Sequence, residues 1–276
     1  MTISNIFKNY KYIYIYIYIM YFIIQYYNDK NIERQKEYDE CLRKNLNNPV
    51  IFEIHNIIEK ETIIPEEFKK YNKLKNINFN YLESGSVPGR LTFKYIFDYC
   101  KKNIPLGEIV CISNLDIFLE NSEDWLNIKT NFFAKNNQKK VLALSRYEYY
   151  WNGTYKIEKS QWTGASSDVW IFKNDISNNI KDCNFSVGNA PGCDASICKR
   201  FYDNNFIVFN WAEKYKIFHL DICRGHFNGN MIITNKTDHE GNNALSRGRL
   251  DCIPYQNWSK ILNMEIKPFY RILGKH

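Results

Sequence analysis

From Met20 onward, short apolar runs rich in β-branched and aromatic residues alternate with stretches whose apolar positions follow a helical spacing. Tyr21 to Tyr27 (YFIIQYY) reads as a first core strand and Asn28-Asp29-Lys30-Asn31 as the turn after it. Glu33 to Leu46 places Tyr38, Cys41, Leu42 and Leu46 near a 3.6-residue spacing among strong helix formers, which predicts a helix stopped by Asn47-Asn48-Pro49. A second strand is expected over Val50 to Ile58, a short helix from Pro65 to Tyr71, and a third strand over Ile77 to Leu82. After a loop at Glu83 to Pro88, Leu91 to Lys102 carries an apolar stripe of a packed helix, and Ile109 to Ile112 reads as a fully buried strand. Further on, the pattern predicts a helix over Ser122 to Ala134, a strand over Val141 to Tyr147, a helix-like run from Ala195 to Tyr202 and a strand over Tyr215 to Phe218. Alternating strands and helices imply an α/β fold, a single domain with a mostly parallel central sheet flanked by helices.

The N-terminus departs from this pattern. Tyr12 to Ile19 is a strict YIYIYIYI repeat, so residues 1–19 are set apart as a low-complexity extension, with the working protein expected to begin at or near Met20. The apolar stretch from Ile13 to Ile24 is short of the roughly 20 residues a bilayer span needs, and no small-residue cleavage site follows Lys8 and Lys11. No transmembrane span is expected.

With 45% hydrophobic residues in 276, the chain can bury a sizeable core. The formal charge of +7 is spread among acids rather than gathered into a stripe, which suits an anionic small molecule and argues against a nucleic-acid partner. The eight cysteines contain no C-x-x-C pair, which argues against a structural zinc site. Several of them sit in apolar runs, as Cys111 does, and imply a reducing, cytoplasmic setting.

Polarity arrives abruptly after the Ile109–Ile112 strand, at Ser113, Asn114 and Asp116. Ligands of open α/β sheets gather at the carboxyl ends of strands, so Asp116 can serve a metal or phosphate, or only turn the chain. Three other groups carry potential chemistry: Ser145-Arg146-Tyr147 with Ser166 to Phe172, Pro191-Gly192-Cys193-Asp194, and Phe218-His219-Leu220-Asp221. Asp194 is either a general base or the N-cap of the helix that follows it. His219 is either a ligand or a packed core histidine, and Asp221 either orients it or lies on the surface. Arg146 can pair with a phosphate, or with Glu148 or another acid. Trp162, Trp170 and Tyr147 can stack on sugar rings or belong to the core. Asp238, His239 and Glu240 read as solvated loop residues rather than a metal cluster, and Arg247-Gly248-Arg249 either approaches a diphosphate or is a surface basic pair.

Taken in order, NLDIF from Asn114, ALSRY from Ala143, SSDVWIF from Ser166, PGCD from Pro191 and HLD from His219 resemble the GT-A-fold glycosyltransferases of giant algal and amoebal viruses and some bacteria. The resemblance covers about Met20 to Arg224 and extends to the first strand and helix.

What the resemblance implies is a metal-dependent transfer of a sugar from a nucleotide-sugar, of the UDP type, to a glycan acceptor, in a viral setting a capsid glycoprotein glycan. The donor half would span about 20–147, the acceptor half 148–230 and a tail 231–276. It implies Asp116 and His219 as ligands of Mn²⁺ or Mg²⁺, with Asn114 standing where many such enzymes have a second carboxylate. Gln25, Asn28 and Arg146 would contact the donor, Asp194 would act as base, and Asp168 would be the alternative base or an acceptor ligand. Two rival readings remain: a sugar- or nucleotide-binding module of the same fold without turnover, and another nucleotide-using α/β enzyme such as a methyltransferase. No glycine-rich loop follows the first strand to support the latter.

Overall fold

The computed structural model describes residues 20–79, 91–134, 138–156, 167–175, 180–187, 193–223 and the backbone of 253–254. The expectations for residues 1–19, for Trp162, Ser166, Pro191 and Gly192, and for Asp238 to Glu240 and Arg247 to Arg249 lie outside these. Within them the chain runs β1 (Met20–Ile24), α1 (Ile32–Asn47), β2 (Ile51–Ile58), α2 (Glu66–Lys69), β3 (Leu74–Asn78), α3 (Phe93–Asn103), β4 (Ile109–Ser113) and β5 (Ile117–Leu119). It continues through α4 (Glu123–Leu126), a π-helical turn (Lys129–Phe133), β6 (Lys140–Leu144), β7 (Tyr147–Tyr149), β8 (Tyr155–Lys156) and β9 (Val169–Lys173). α5 (Cys193–Asp203), β10 (Ile207–Asn210), β11 (Ile217–His219) and β12 (Ile253–Pro254) complete it.

Eight strands form one sheet in the order β12-β10-β6-β9-β4-β1-β2-β3, with β9 antiparallel to both its neighbours and the other pairs parallel. This is the mixed, mostly parallel α/β sheet flanked by helices that the alternation predicts. Its central strands are apolar throughout because both faces are covered. Ile109 and Cys111 pack on the α1 side while Val110 and Ile112 pack on the α3 and α5 side, and Leu142 and Leu144 divide from Val141 and Ala143 in the same way. Trp170 is fully buried at 5.0 Å from Phe93, so it is a core residue and not a sugar platform.

Successive β1-α-β2-α-β3 crossovers step one way from β1, and β4 lies on its other side. The carboxyl ends of β1 and β4 are therefore the point where the strand order reverses, the place where ligands of such sheets bind. A second sheet, β5-β11-β7-β8, stands beside this edge.

Several boundaries move for identifiable reasons. β1 stops at Ile24 because Gln25 and Tyr26 leave the ladder: Gln25 Oε1 accepts from the Leu91 amide and the Tyr26 amide donates to Asn56 Oδ1. β3 begins at Leu74 rather than Ile77, since its register on β2 runs from Ile54↔Leu74 to Ile58↔Asn78. The helix expected over Ser122 to Ala134 divides at Asn127 into α4 and the π-helical turn; the Asn127 side-chain amide donates to the Glu123 carbonyl and the Thr130 hydroxyl to the Asn127 carbonyl. The strand expected to run to Tyr147 ends at Leu144, because Asn210 holds the Ser145 amide and hydroxyl at 3.2 and 2.7 Å. Tyr215 folds back onto the Trp211 carbonyl, so the strand expected from Tyr215 starts at Ile217 and takes in His219. The C-terminal tail contributes β12 to the sheet edge beside β10.

Candidate functional site

The cluster beyond the carboxyl end of β4 is assembled by strand pairing. β5 runs antiparallel to β11 with Ile117 opposite His219, and the Leu220 amide donates to the Asp116 carbonyl at 3.0 Å. β11 in turn pairs in parallel with β7, with His219 opposite Glu148. Asp116, in the turn just before β5, thus meets His219 on β11 and Glu148 on β7 although the three are distant in sequence. α1 fixes this sheet from outside: Asn45 Nδ2 donates to the Ile117 carbonyl at 2.8 Å and Oδ1 accepts from the Leu119 amide at 3.1 Å.

His219 is buried and uses both ring nitrogens, with Nδ1 2.8 Å from Glu148 Oε2 and Nε2 3.2 Å from Asp116 Oδ2. Asp221 Oδ2 lies 3.8 Å from the same Nε2. The carboxylates of Asp116 and Asp221 and the imidazole of His219 offer ligand atoms that all lie within 4.8 Å of one another. One nitrogen and two oxygens at this spacing fit a divalent cation, and Glu148 sits on the far ring nitrogen, where a partner orients a ligating histidine. Burial and the Arg146 charge pull the His219 pKa down, but Asp116 and Glu148 carry it up to about 9. Burial alone would raise Glu148, yet His219 and Arg146 hold it down at about 2.

Arg34 completes the cluster. It sits on α1 at 2% exposure, with Nη1 2.9 Å from Glu37 Oε2 and 2.8 Å from Asp221 Oδ1, and with Nη2 bonded to Asp116 Oδ2. Burial opposes its charge, and Asp116, Tyr38, Asp221 and Glu37 outweigh that effect. Its helix starts at Asn31, whose side chain accepts from the amides of Glu33 and Arg34 and so sets the first turn.

A second network adjoins the first at the start of β9. The Arg146 Nε donates to Glu148 at 2.9 Å and Nη1 to Asp168 Oδ1 at 2.8 Å, and Asn114 Nδ2 donates to the same Asp168 oxygen at 3.1 Å. Asp168 Oδ2 is buried and has no hydrogen-bond partner among the described residues. Asp194 lies inside the first turn of α5 rather than at its cap, and its Oδ2 accepts from the Ser167 amide at 3.2 Å. Burial and then the charge of Asp168 raise the Asp194 pKa above the usual aspartate value.

Against the sequence expectations, Asp116 and His219 meet as neighbours, while Asn114 turns its amide to Asp168 instead of joining them. Arg146 bridges the two networks as an ion-pair partner of Glu148 and Asp168. Tyr147 is buried against Phe218 in the second sheet, so it is a core residue and not a sugar platform. Of the two residues expected to grip the nucleoside, Gln25 accepts from the Leu91 amide through Oε1, and Asn28 holds the Ile63 backbone through its amide NH₂ and carbonyl at 3.0 and 2.7 Å. Asp221 is 1% exposed, so it is not a surface carboxylate; Glu148, rather than Asp221, orients His219 through Nδ1.

Arg34, Glu37 and Glu148 carry much of the cluster, although no motif in the sequence marks them as part of it. A signal was there for two of them: Arg34 and Glu37 lie one turn ahead of Tyr38 and Cys41, on the buried stripe of the helix, where an unpaired charge is costly.

No protein-family model matches the sequence, and no curated protein matches it. Among solved structures, the 4-diphosphocytidyl-2C-methyl-D-erythritol synthase of Anaerococcus prevotii DSM 20548 is similar at 15% identity and a TM-score of 0.42, over 70% of this chain and 86% of that one. The likeness is distant and confined to the fold.

Proposed function

We propose that the chain is a metal-dependent glycosyltransferase that moves a sugar from a nucleotide-sugar, of the UDP type, to a glycan acceptor. The observation that carries this reading is the Asp116–His219–Asp221 group at the carboxyl ends of the central strands, with ligand atoms within 4.8 Å. Asp116, His219 and Asp221 would hold Mn²⁺ or Mg²⁺, which when bound stabilises the negative charge of a departing diphosphate. Glu148 keeps the His219 ring turned so that Nε2 faces the carboxylates. Arg146 and Asn114 fix the Asp168 carboxylate through one oxygen, and the other oxygen is suited to accept from an acceptor hydroxyl. Asp194 is the base: its raised pKa brings it closer to working pH and makes it a better proton acceptor than an ordinary aspartate. The resemblance to viral enzymes of this fold supports a capsid glycan as the acceptor.

A second reading, a nucleotide- or sugar-binding protein without turnover, is favoured by Arg34, a cation already seated on Asp116. Donor hydrolysis and transfer across a panel of nucleotide-sugars, with and without Mn²⁺, separates the two. Metal-dependent turnover of one donor is expected. Nucleotide binding with no turnover of any donor selects the binding protein, and neither binding nor turnover overturns both.

A further inference from the structure

The inference concerns Arg34 and rests on the metal-site reading above. Both carboxylates of the Asp116–His219–Asp221 group also hold this guanidinium, Asp116 through Nη2 and Asp221 through Nη1. The Asp116 oxygen bonded to Arg34 is Oδ2, the same oxygen that faces His219 Nε2. A divalent ion ligated there would stand beside the guanidinium at roughly 4 Å or less, a like-charge contact that a buried, weakly screened site magnifies. Nη1 has two further partners that are not part of the group, Glu37 at 2.9 Å and the Leu220 carbonyl at 2.9 Å. Glu37 is itself fixed, since its Oε1 accepts from the amides of Ile222 and Cys223 at 2.7 and 2.9 Å. The guanidinium is therefore tethered through Nη1, which also holds Asp221 Oδ1, and bonded to Asp116 through Nη2. Its Nε is buried and makes no hydrogen bond among the described residues, so the charge is held through the two terminal nitrogens alone.

We propose that Arg34 is a tethered cation that occupies the Asp116–Asp221 pair in the metal-free protein, and that a divalent metal enters by exchange with it. Nη2 releases Asp116 while Nη1 stays on Glu37, the Leu220 carbonyl and Asp221 Oδ1, which leaves Asp221 Oδ2, the oxygen on the His219 side, as the ligating atom. Arg34 thus keeps the buried Asp221 and the partly buried Asp116 compensated when no metal is present, and it sets the affinity of the site for the metal. Neither role requires Arg34 to touch the reacting atoms, so it is a positioning residue.

The test is Mn²⁺ binding to the full chain without nucleotide, counted from the electron paramagnetic resonance signal of the free ion, in wild type, Arg34→Met and Arg34→Lys. Arg34→Met, which keeps bulk and removes charge, is expected to tighten Mn²⁺ binding at least about tenfold, while Arg34→Lys stays near wild type because the competing charge remains. A purely structural arginine would lower the melting temperature in both variants and tighten neither. Equal Mn²⁺ affinity in wild type and folded Arg34→Met overturns the exchange while leaving the metal site intact. No saturable binding to either folded protein overturns the metal reading and the exchange with it. Should Arg34→Met not fold, a crystal structure of wild type grown with Mn²⁺ decides: Nη2 withdrawn from Asp116 supports the exchange, and an ion bound with Nη2 still on Asp116 overturns it.

Discussion

Glu148 Oε2 lies 2.8 Å from Nδ1 of His219, on a strand that pairs with the histidine's own, and so fixes which ring nitrogen faces Asp116. Replacing Glu148 with Gln keeps the size of the side chain but removes the charge. Mn²⁺ affinity is expected to fall about 10- to 100-fold, the usual effect of losing such a partner, with the fold intact by circular dichroism. Calorimetric titration with Mn²⁺ measures it, and an unchanged affinity would remove Glu148 from the site.

Asp116→Asn should abolish metal-dependent turnover, since the amide is a weak ligand for a hard cation. The same change takes a counter-charge from buried Arg34, so melting temperature should fall as well. Turnover that survives in Mn²⁺ would assign the metal to other residues.

Asp194→Asn separates the base from a merely structural acid. The amide oxygen can still accept from the Ser167 amide, so α5 should keep its seat while turnover drops. Stability should move the opposite way. Because the folded pKa is raised, the folded chain holds the Asp194 proton more tightly than the unfolded chain does. Its contribution is therefore fully present below the unfolded value near 4 and is lost as pH rises through the folded one. Wild type carries that penalty at neutral pH and Asp194→Asn does not. The variant should therefore melt higher at pH 7, and the gap should close on acidification. Equal melting temperatures across pH 3 to 7 would refute the shift.

Asn45→Ala tests the link between α1 and the second sheet. It leaves the Ile117 carbonyl and the Leu119 amide buried without their partner, each loss costing about 1–3 kcal/mol. Denaturant unfolding should show that loss, and because β5 carries Asp116 into place, Mn²⁺ affinity should weaken too. A destabilised variant with wild-type metal affinity would mean that β11 alone positions Asp116.

Trp170→Ala should cost about 3–5 kcal/mol through the cavity it opens beside Phe93, and should leave acceptor affinity unchanged in whatever folded fraction remains. Weaker acceptor binding in the folded variant would restore it as a sugar contact.

The large sheet was legible because its strands obey a local rule. Apolar runs such as Ile109–Ile112 are buried on both faces wherever they sit, and Tyr38, Cys41, Leu42 and Leu46 mark one helix face by spacing alone. The ends of Ser113 and His219 were readable as sites of polarity for the same reason. Partner choice among the charges was not. Whether Arg146 meets a phosphate or Glu148, and whether Asp221 faces solvent or Arg34, depends on which strands pair and in what register. Those pairings join residues as far apart as Arg34 and Asp221, and no local pattern encodes them. The sequence by itself determined a two-faced α/β sheet with acids at its carboxyl edge. Only the tertiary structure decided that Asp116, His219 and Asp221 share one site and that Arg34 sits among them, because a charge finds its partner through space and not along the chain.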